Sequence, residues 1–336
     1  MFIINNYVTA VILCIITMLC WGSWGNTQKM SSKHWRFELF YWDYVLGMFF
    51  LSLLSALTLG SIGQEGRPFF EDLALVESSN ILSALIGGVV FNAGNILLSA
   101  SIAIAGMSVA FPVGVGIALV LGVVINYLAL QQGDPILLFG GVGLVLLAIV
   151  LNALAYRGKK KETKDEGAAT TGLWLALLAG VLMAFFYRFI AASMDLSDFR
   201  HPEVGKMTPY SAFFIFSLGV VLSNILFNTI LIKRPFVGEP SSYKAYFSAS
   251  LYNHIPGFLG GVIWGVGNAF NLVAAGIAGT AISYGLGQGA TLVAALWGVF
   301  VWKEFKGASP RINGYLLLMF LFFIVGIITI IYAGAI

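Results

Sequence analysis

The chain has 336 residues, 59% of them hydrophobic and 10% charged, with a formal charge of +3 and a mean hydropathy of +0.91. A soluble domain carries about 25% charged residues, so this composition excludes a water-soluble globular enzyme. Apolar runs of roughly 20 residues, the length that crosses a bilayer as a helix, recur along the whole chain. Long polar–apolar alternation is absent, which argues against an outer-membrane barrel. The expected fold class is an all-α polytopic membrane protein.

Ten spans are predicted, at 7–26, 39–60, 81–104, 108–130, 136–156, 172–194, 209–232, 255–276, 280–302 and 313–334. The first reads as a retained span, because no Lys or Arg precedes it and its apolar run outlasts a typical signal core. It holds Cys14 and Cys20, six positions apart and too far along a helix for a disulfide. It closes on "CWGSWGNTQK", where Trp21 and Trp24 suit an interfacial belt or, with Asn26, a ring-stacking site. The second span carries Asp43, the deepest carboxylate of the ten spans, with Glu38 one turn earlier. Asp43 is read either as a proton site or as an interfacial residue. The hydrophilic run "RGKKKETKDEG" separates five spans from five. This divides the chain into a first half (1–156), a charged linker (157–171) and a second half (172–336).

A shift of 173 residues aligns 87–127 with 260–300 without a gap, and twelve of the 41 positions are identical, among them Gly87, Gly88, Gly94, Asn95, Gly106, Gly114 and Gly116. The aligned segments are spans 3–4 and 8–9. Five spans per half is an odd number, so the second copy must lie upside down relative to the first. Inverted repeats mark secondary transporters with a site near the midplane. The odd-numbered loops carry fourteen Lys and Arg, the even-numbered ones only Arg67, Arg200 and Lys206. Cytoplasmic loops are enriched in Lys and Arg, so the central linker is expected in the cytoplasm and both termini outside.

Polar residues inside spans are costly and need a reason. Gly88, Asn92, Asn95 and Ser99 share one face of span 3, and Trp264, Asn268 and Asn271 share one face of span 8. They line a cavity or else bond helix to helix. Small residues recur every fourth position at Gly114, Ala118 and Gly122, and at Gly287, Thr291 and Ala295, which suits close packing. "AFPVGVG" and "YGLGQG" occupy matching places. Pro112, Gly114 and Gly287 are gating candidates there, and Gln288 is a binding candidate. Arg188, well inside span 6, either binds substrate or snorkels toward Asp195. His34, His201 and His254 fall in loops without metal-ligand spacing, and neither a Walker A loop nor HExxH is present. No metal, cofactor, enzymatic activity or nucleic-acid partner is expected, and transport would run on an ion gradient or on the solute's own.

The run "GNILLSASIAIAGMSVAFPVGVGIALVLGVVINYL" (94–128), together with "CWGSWGN" (20–26), "YWDY" (41–44) and "KKKETKDEG", resembles the drug/metabolite transporter superfamily, within it the ureide permeases and the bacterial glucose/ribose and rhamnose uptake proteins. The resemblance covers nearly the full length. It implies ten helices as two inverted five-helix repeats, and import of small neutral polar solutes, commonly with protons, across a plasma or bacterial inner membrane. The expectation is a proton symporter for a small neutral sugar. Asn92, Asn95, Asn268, Asn271, Gln288 and Arg188 would contact the solute, Trp24 and Trp264 would stack on it, and Asp43 would carry the proton. A ureide or nucleobase permease is the runner-up. A passive channel, a membrane-embedded enzyme and a structural membrane protein are the readings from other classes.

Overall fold

The computed structural model describes residues 1–31, 35–63, 65–159 and 166–335, so His34 and residues 160–165 of the linker lie outside the described residues. Among the described residues ten helices are long and apolar enough to cross a membrane: α1 (Tyr7–Met30), α2 (Phe37–Leu57), α3 (Ser78–Ala105), α4 (Phe111–Leu130), α5 (Pro135–Gly158), α6 (Thr170–Ala192), α7 (Pro209–Lys233), α8 (Leu251–Ala278), α9 (Thr280–Val301) and α10 (Pro310–Ala333). No strand occurs among the described residues. The expected all-helical, ten-span fold is the one observed. Among the described residues three short helices lie outside the spans, Phe69–Leu75 before α3, Met107–Ala110 leading into α4 and Tyr243–Phe247 before α8.

Local chemistry sets the helix ends. Asn6, Thr208 and Ser309 accept from the backbone N–H three residues on, and Pro209 and Pro310 follow the last two as first-turn prolines. Gly106 (φ 85°) joins α3 to the segment leading into α4, and Gly279 (φ 82°) joins α8 to α9. Only glycine adopts that backbone without strain, and the two glycines are the same position of the repeat. α8 starts earlier than its apolar run, so Pro256 falls inside it and His254 joins its first turns.

The helices pack in matched sets. α3 packs on α6 and α1 on α8; α2 on α8 and α3 on α7; α4 on α6 and α1 on α9. α5 packs on α10, α2 on α7 and α4 on α9. Exchanging each helix with the one five spans away returns the same set. The glycine contacts follow this exchange. A methyl group on Gly88 would overlap backbone of α7, and one on Gly261 would overlap backbone of α2. Gly47 of α2 meets the Phe258 carbonyl, and Gly219 of α7 meets the carbonyl of Leu85, which lies 173 positions before Phe258. α5 and α10 cross where Gly141 and Gly326 each face the other's carbonyl oxygen. Small residues give dispersion contact where lipid offers no hydrophobic drive for association.

Candidate functional site

The centre of the bundle holds a small void of about 20 Å³. Its walls are mostly rings: Trp21 and Trp24 from α1, Phe111 from α4, Phe186 from α6 and Trp264 from α8. Leu98, Val115, Met183 and Ala290 complete the apolar lining, and Gln288 of α9 supplies its amide. None of these side chains is ionisable. The rings also touch one another. Trp21 and Trp264 are stacked with centroids 5.6 Å apart and planes 7° from parallel. Phe91 contacts Trp264 at 4.4 Å, and these two are again equivalent positions of the repeat. Gly267 and Gly287 leave the slot for the Trp21 indole, since a methyl at either would come within 3 Å of it (2.9 and 2.7 Å).

Around the rings lie buried amides, with two different fates. Asn92 is fully engaged: its Oδ1 accepts from the Tyr41 hydroxyl at 3.0 Å and its Nδ2 donates to Ser223 Oγ at 2.9 Å. Asn95 donates from Nδ2 to Tyr41 Oη at 3.2 Å and leaves Oδ1 without a partner. Asn271 donates to the Ser283 carbonyl at 2.8 Å and also leaves its Oδ1 free. Asn268 makes no hydrogen bond with either amide atom, and the Trp21 indole N–H has no partner. Both residues are buried. An unsatisfied buried polar group costs about 1–3 kcal/mol, so several in one place mark positions that a ligand can satisfy.

Bonded layers lie on both sides of the rings. Toward the linker, Trp297 Nε1 donates to Ser23 Oγ at 2.9 Å and Trp302 Nε1 to Asn26 Oδ1 at 2.7 Å. Gln28 and Ser99 bond to each other twice, at 3.0 Å each. Lys29 pairs with Glu304 at 2.5 Å, and the Tyr156 hydroxyl donates to the same carboxylate at 2.6 Å. Toward the termini, the Tyr187 and Ser283 hydroxyls meet at 3.0 Å and Tyr284 donates to the Met183 carbonyl at 3.0 Å. Pro112 and Gly114 lie in a five-residue π-helical turn, Phe111–Val115, that opens α4. Such turns are often found at functional sites. A methyl on Gly114 would press on Leu98 at 2.9 Å, so this glycine also serves helix contact.

Of the residues singled out in the sequence, Trp24, Trp264 and Gln288 line the void and Asn268, Asn271 and Asn95 present free polar atoms. Two of the singled-out residues lie apart from it. Asn92 is buried but committed to protein partners. Arg188 is exposed and continues a stripe of exposed residues on α6, Trp174, Leu178, Val181 and Phe185. It faces outward, near the end of α6 at Ala192. Asp43 is buried near the linker-side end of α2, away from the rings. There it accepts from the Tyr246 hydroxyl at 2.6 Å and contacts His254 Nδ1 at 2.9 Å. The sequence reading left His254 in a loop and did not pair it. It also left Trp21 out of the site, although the spacing of Trp21 and Trp24 puts both on one face of α1.

A family model described as ureide permease matches residues 40–171 and 159–333. Ureide permease 1 of Arabidopsis thaliana is 24% identical, covering 97% of this chain and 97% of its own length. Ureide permease 5 of the same plant is 23% identical over 97% of this chain and 94% of its own. The glucose uptake protein GlcU of Staphylococcus xylosus is 22% identical over 74% of this chain and 75% of its own. A solved crystal structure superposes with a TM-score of 0.61 at 14% identity, covering 96% of this chain and 97% of that one. At that identity the likeness concerns the fold.

Proposed function

The chain belongs to the ureide permease family, and from this premise we propose that it imports a small, neutral, ring-shaped polar solute together with protons by alternating access. Its relatives are permeases and uptake proteins, and it is a multi-pass membrane transporter. The observation that carries the finer reading is the lining of the central void. It offers flat aromatic faces and the amide of Gln288, with no charge among its side chains.

A primary amide presents a donor and an acceptor side by side. That edge matches the N–H and C=O of a cyclic ureide or a nucleobase in two parallel bonds, while the rings cover the flat faces. A cyclic amide is therefore our first choice of solute. This reverses the order expected from the sequence, where a sugar came first. The sugar stays as the second reading, because a pyranose also has an apolar face and GlcU is named for glucose.

Two halves related as an inverted repeat would let the rings part toward one side at a time. The matched packing sets and the equivalent glycines support that reading. The basic odd-numbered loops support a cytoplasmic linker and outward termini. Asp43, the buried carboxylate on α2, is the proposed proton carrier.

Labelled allantoin, uracil, ribose, rhamnose and glucose, offered to cells expressing the chain with and without a protonophore, test this directly. Protonophore-sensitive, saturable uptake of allantoin or uracil is expected. Uptake of a sugar alone would return the second reading, and non-saturable, protonophore-insensitive uptake would establish a passive pore.

A further inference from the structure

We infer that Asp43, His254 and Tyr246 form one proton-binding unit that fastens α2 to α8 at the linker-side end of the bundle. It deepens the symport reading above, which assigned the proton to Asp43 alone.

The geometry has four parts. First, Asp43 Oδ1 is doubly engaged, by the Tyr246 hydroxyl at 2.6 Å and by His254 Nδ1 at 2.9 Å. Second, its Oδ2 is buried and completes no hydrogen bond, with the Trp35 side chain close to the carboxyl but its indole N–H also unbonded, so an arriving proton has an oxygen to join. Third, the helices touch there: a methyl on Gly257 would lie 2.6 Å from Asp43 Cβ. The two titratable groups are thus held together by backbone. Fourth, aromatic edges shield them. Trp35 stands edge-on to His254 at 5.1 Å and stacks near Tyr246 at 6.1 Å, and Tyr246 meets His254 edge-on at 4.8 Å.

Carboxylate and imidazole are coupled, and a proton gained by either changes the state of the pair. With the carboxylate charged, it accepts from both neighbours. When Oδ2 takes a proton, the carboxyl is a poorer acceptor and both bonds weaken; only an O–H bond is made and the proton comes from solvent. Tyr246 stays a donor throughout, since burial first, and then its bond to Asp43, push its phenol well above the usual range. The other ionisable groups nearby are already engaged or lack a partner. Glu38 on α2 is paired with Arg36 at 2.7 Å, with Glu239 close to that guanidinium. The Tyr44 hydroxyl lies near Asn95 on α3 and completes no hydrogen bond. The unit reaches the void through both helices: Tyr44, next to Asp43, packs on Trp24 at 4.9 Å, and His254 is ten residues before Trp264 on α8, about 15 Å along the helix.

The test needs no solute. Purified protein in lipid is titrated by infrared difference spectroscopy, which reports a protonated carboxyl directly. A carboxyl band is expected in the wild type and lost in Asp43→Asn. His254→Leu and Tyr246→Phe each remove a group that favours the charged carboxylate. Each should raise the midpoint of that band by about one pH unit, a tenfold change in proton affinity. Tyr246→Phe keeps the ring and guards against a folding defect in His254→Leu. A band that survives Asp43→Asn, or a midpoint unmoved in both other variants, overturns the inference. A normal titration in a protein with no protonophore-sensitive uptake would instead overturn the symport reading and leave the unit standing.

Discussion

Two regions bury polar groups and treat them in opposite ways. On the termini side, the loops before α3 and α7 form a cap in which the buried groups are matched. Asp72 Oδ1 accepts from Arg67 at 2.9 Å and 3.0 Å, and its Oδ2 accepts from the Thr208 N–H at 2.8 Å. The same guanidinium reaches the Lys206 carbonyl at 2.6 Å. Asn80 donates to the Gly205 carbonyl at 2.8 Å and accepts from Lys206 at 3.3 Å. At the centre, Asn268, Asn271, Asn95 and Trp21 leave polar atoms bare. Asp72 and Asn268 are both fully buried, so burial alone does not separate these two regions. Completeness of hydrogen bonding does: a satisfied network holds parts together, and an unsatisfied one leaves groups for another partner, as it also does at Asn224 and Asn152 outside the void.

The sharpest way to break this comparison is to remove one partner from each region. Asp72→Ala leaves the Arg67 guanidinium in the cap without its anion. Breaking a buried pair in this way costs about 3–5 kcal/mol, and the largest loss of stability on unfolding in mixed micelles is expected here. Asn268→Leu should act in the other direction. It removes an amide that has no partner and fills the space with carbon, so stability should stay within about 1 kcal/mol of wild type or rise. Uptake should fall at least tenfold on the order of one lost hydrogen-bonded contact, about 1.4 kcal/mol. If Asn268→Leu unfolds as readily as Asp72→Ala, the central amide is structural and the contrast collapses.

The spans were legible in the sequence because hydropathy measures what a bilayer demands, and predicted and observed helices differ by only a few residues at most ends. Asn268 and Gln288 were legible for the same reason, as amides inside apolar runs. Arg188 was not. In a membrane, the lipid-facing and protein-facing sides of a helix are both apolar, so the phase of α6 could not be read from Trp174, Leu178, Val181 and Phe185. Trp21 suffered likewise, since an interfacial ring and a cavity ring look alike in a string of letters. His254 was missed because it lies just before an apolar run and meets Asp43 from 211 positions away. The glycines told part of the story: their spacing suggested packing, and their contacts show close approach at Gly114 and Gly122, but spacing does not reveal that Gly267 and Gly287 make room for a ring.

The smallest effect sharpens the comparison from inside the cap. Asp195, in the loop after α6, is buried enough that desolvation alone would raise its carboxyl. Donors outweigh that: the Ser197 N–H at 3.0 Å, the Ser197 hydroxyl at 2.5 Å and the Glu203 N–H at 2.9 Å. The carboxyl is held below the ordinary value. A depressed acid stabilises the fold above its unfolded-state value, about 3.9 for Asp, and loses that contribution as pH falls through its folded value. Asp195→Asn should therefore cost on the order of 1 kcal/mol at pH 7, and the gap to wild type should close only in strongly acidic solution. Thermal unfolding of both proteins across a pH series measures the gap. A difference that stays constant as the solution is acidified, or that widens, would mean that the donors do not hold this carboxylate low, and that the cap is not the saturated network contrasted with the centre.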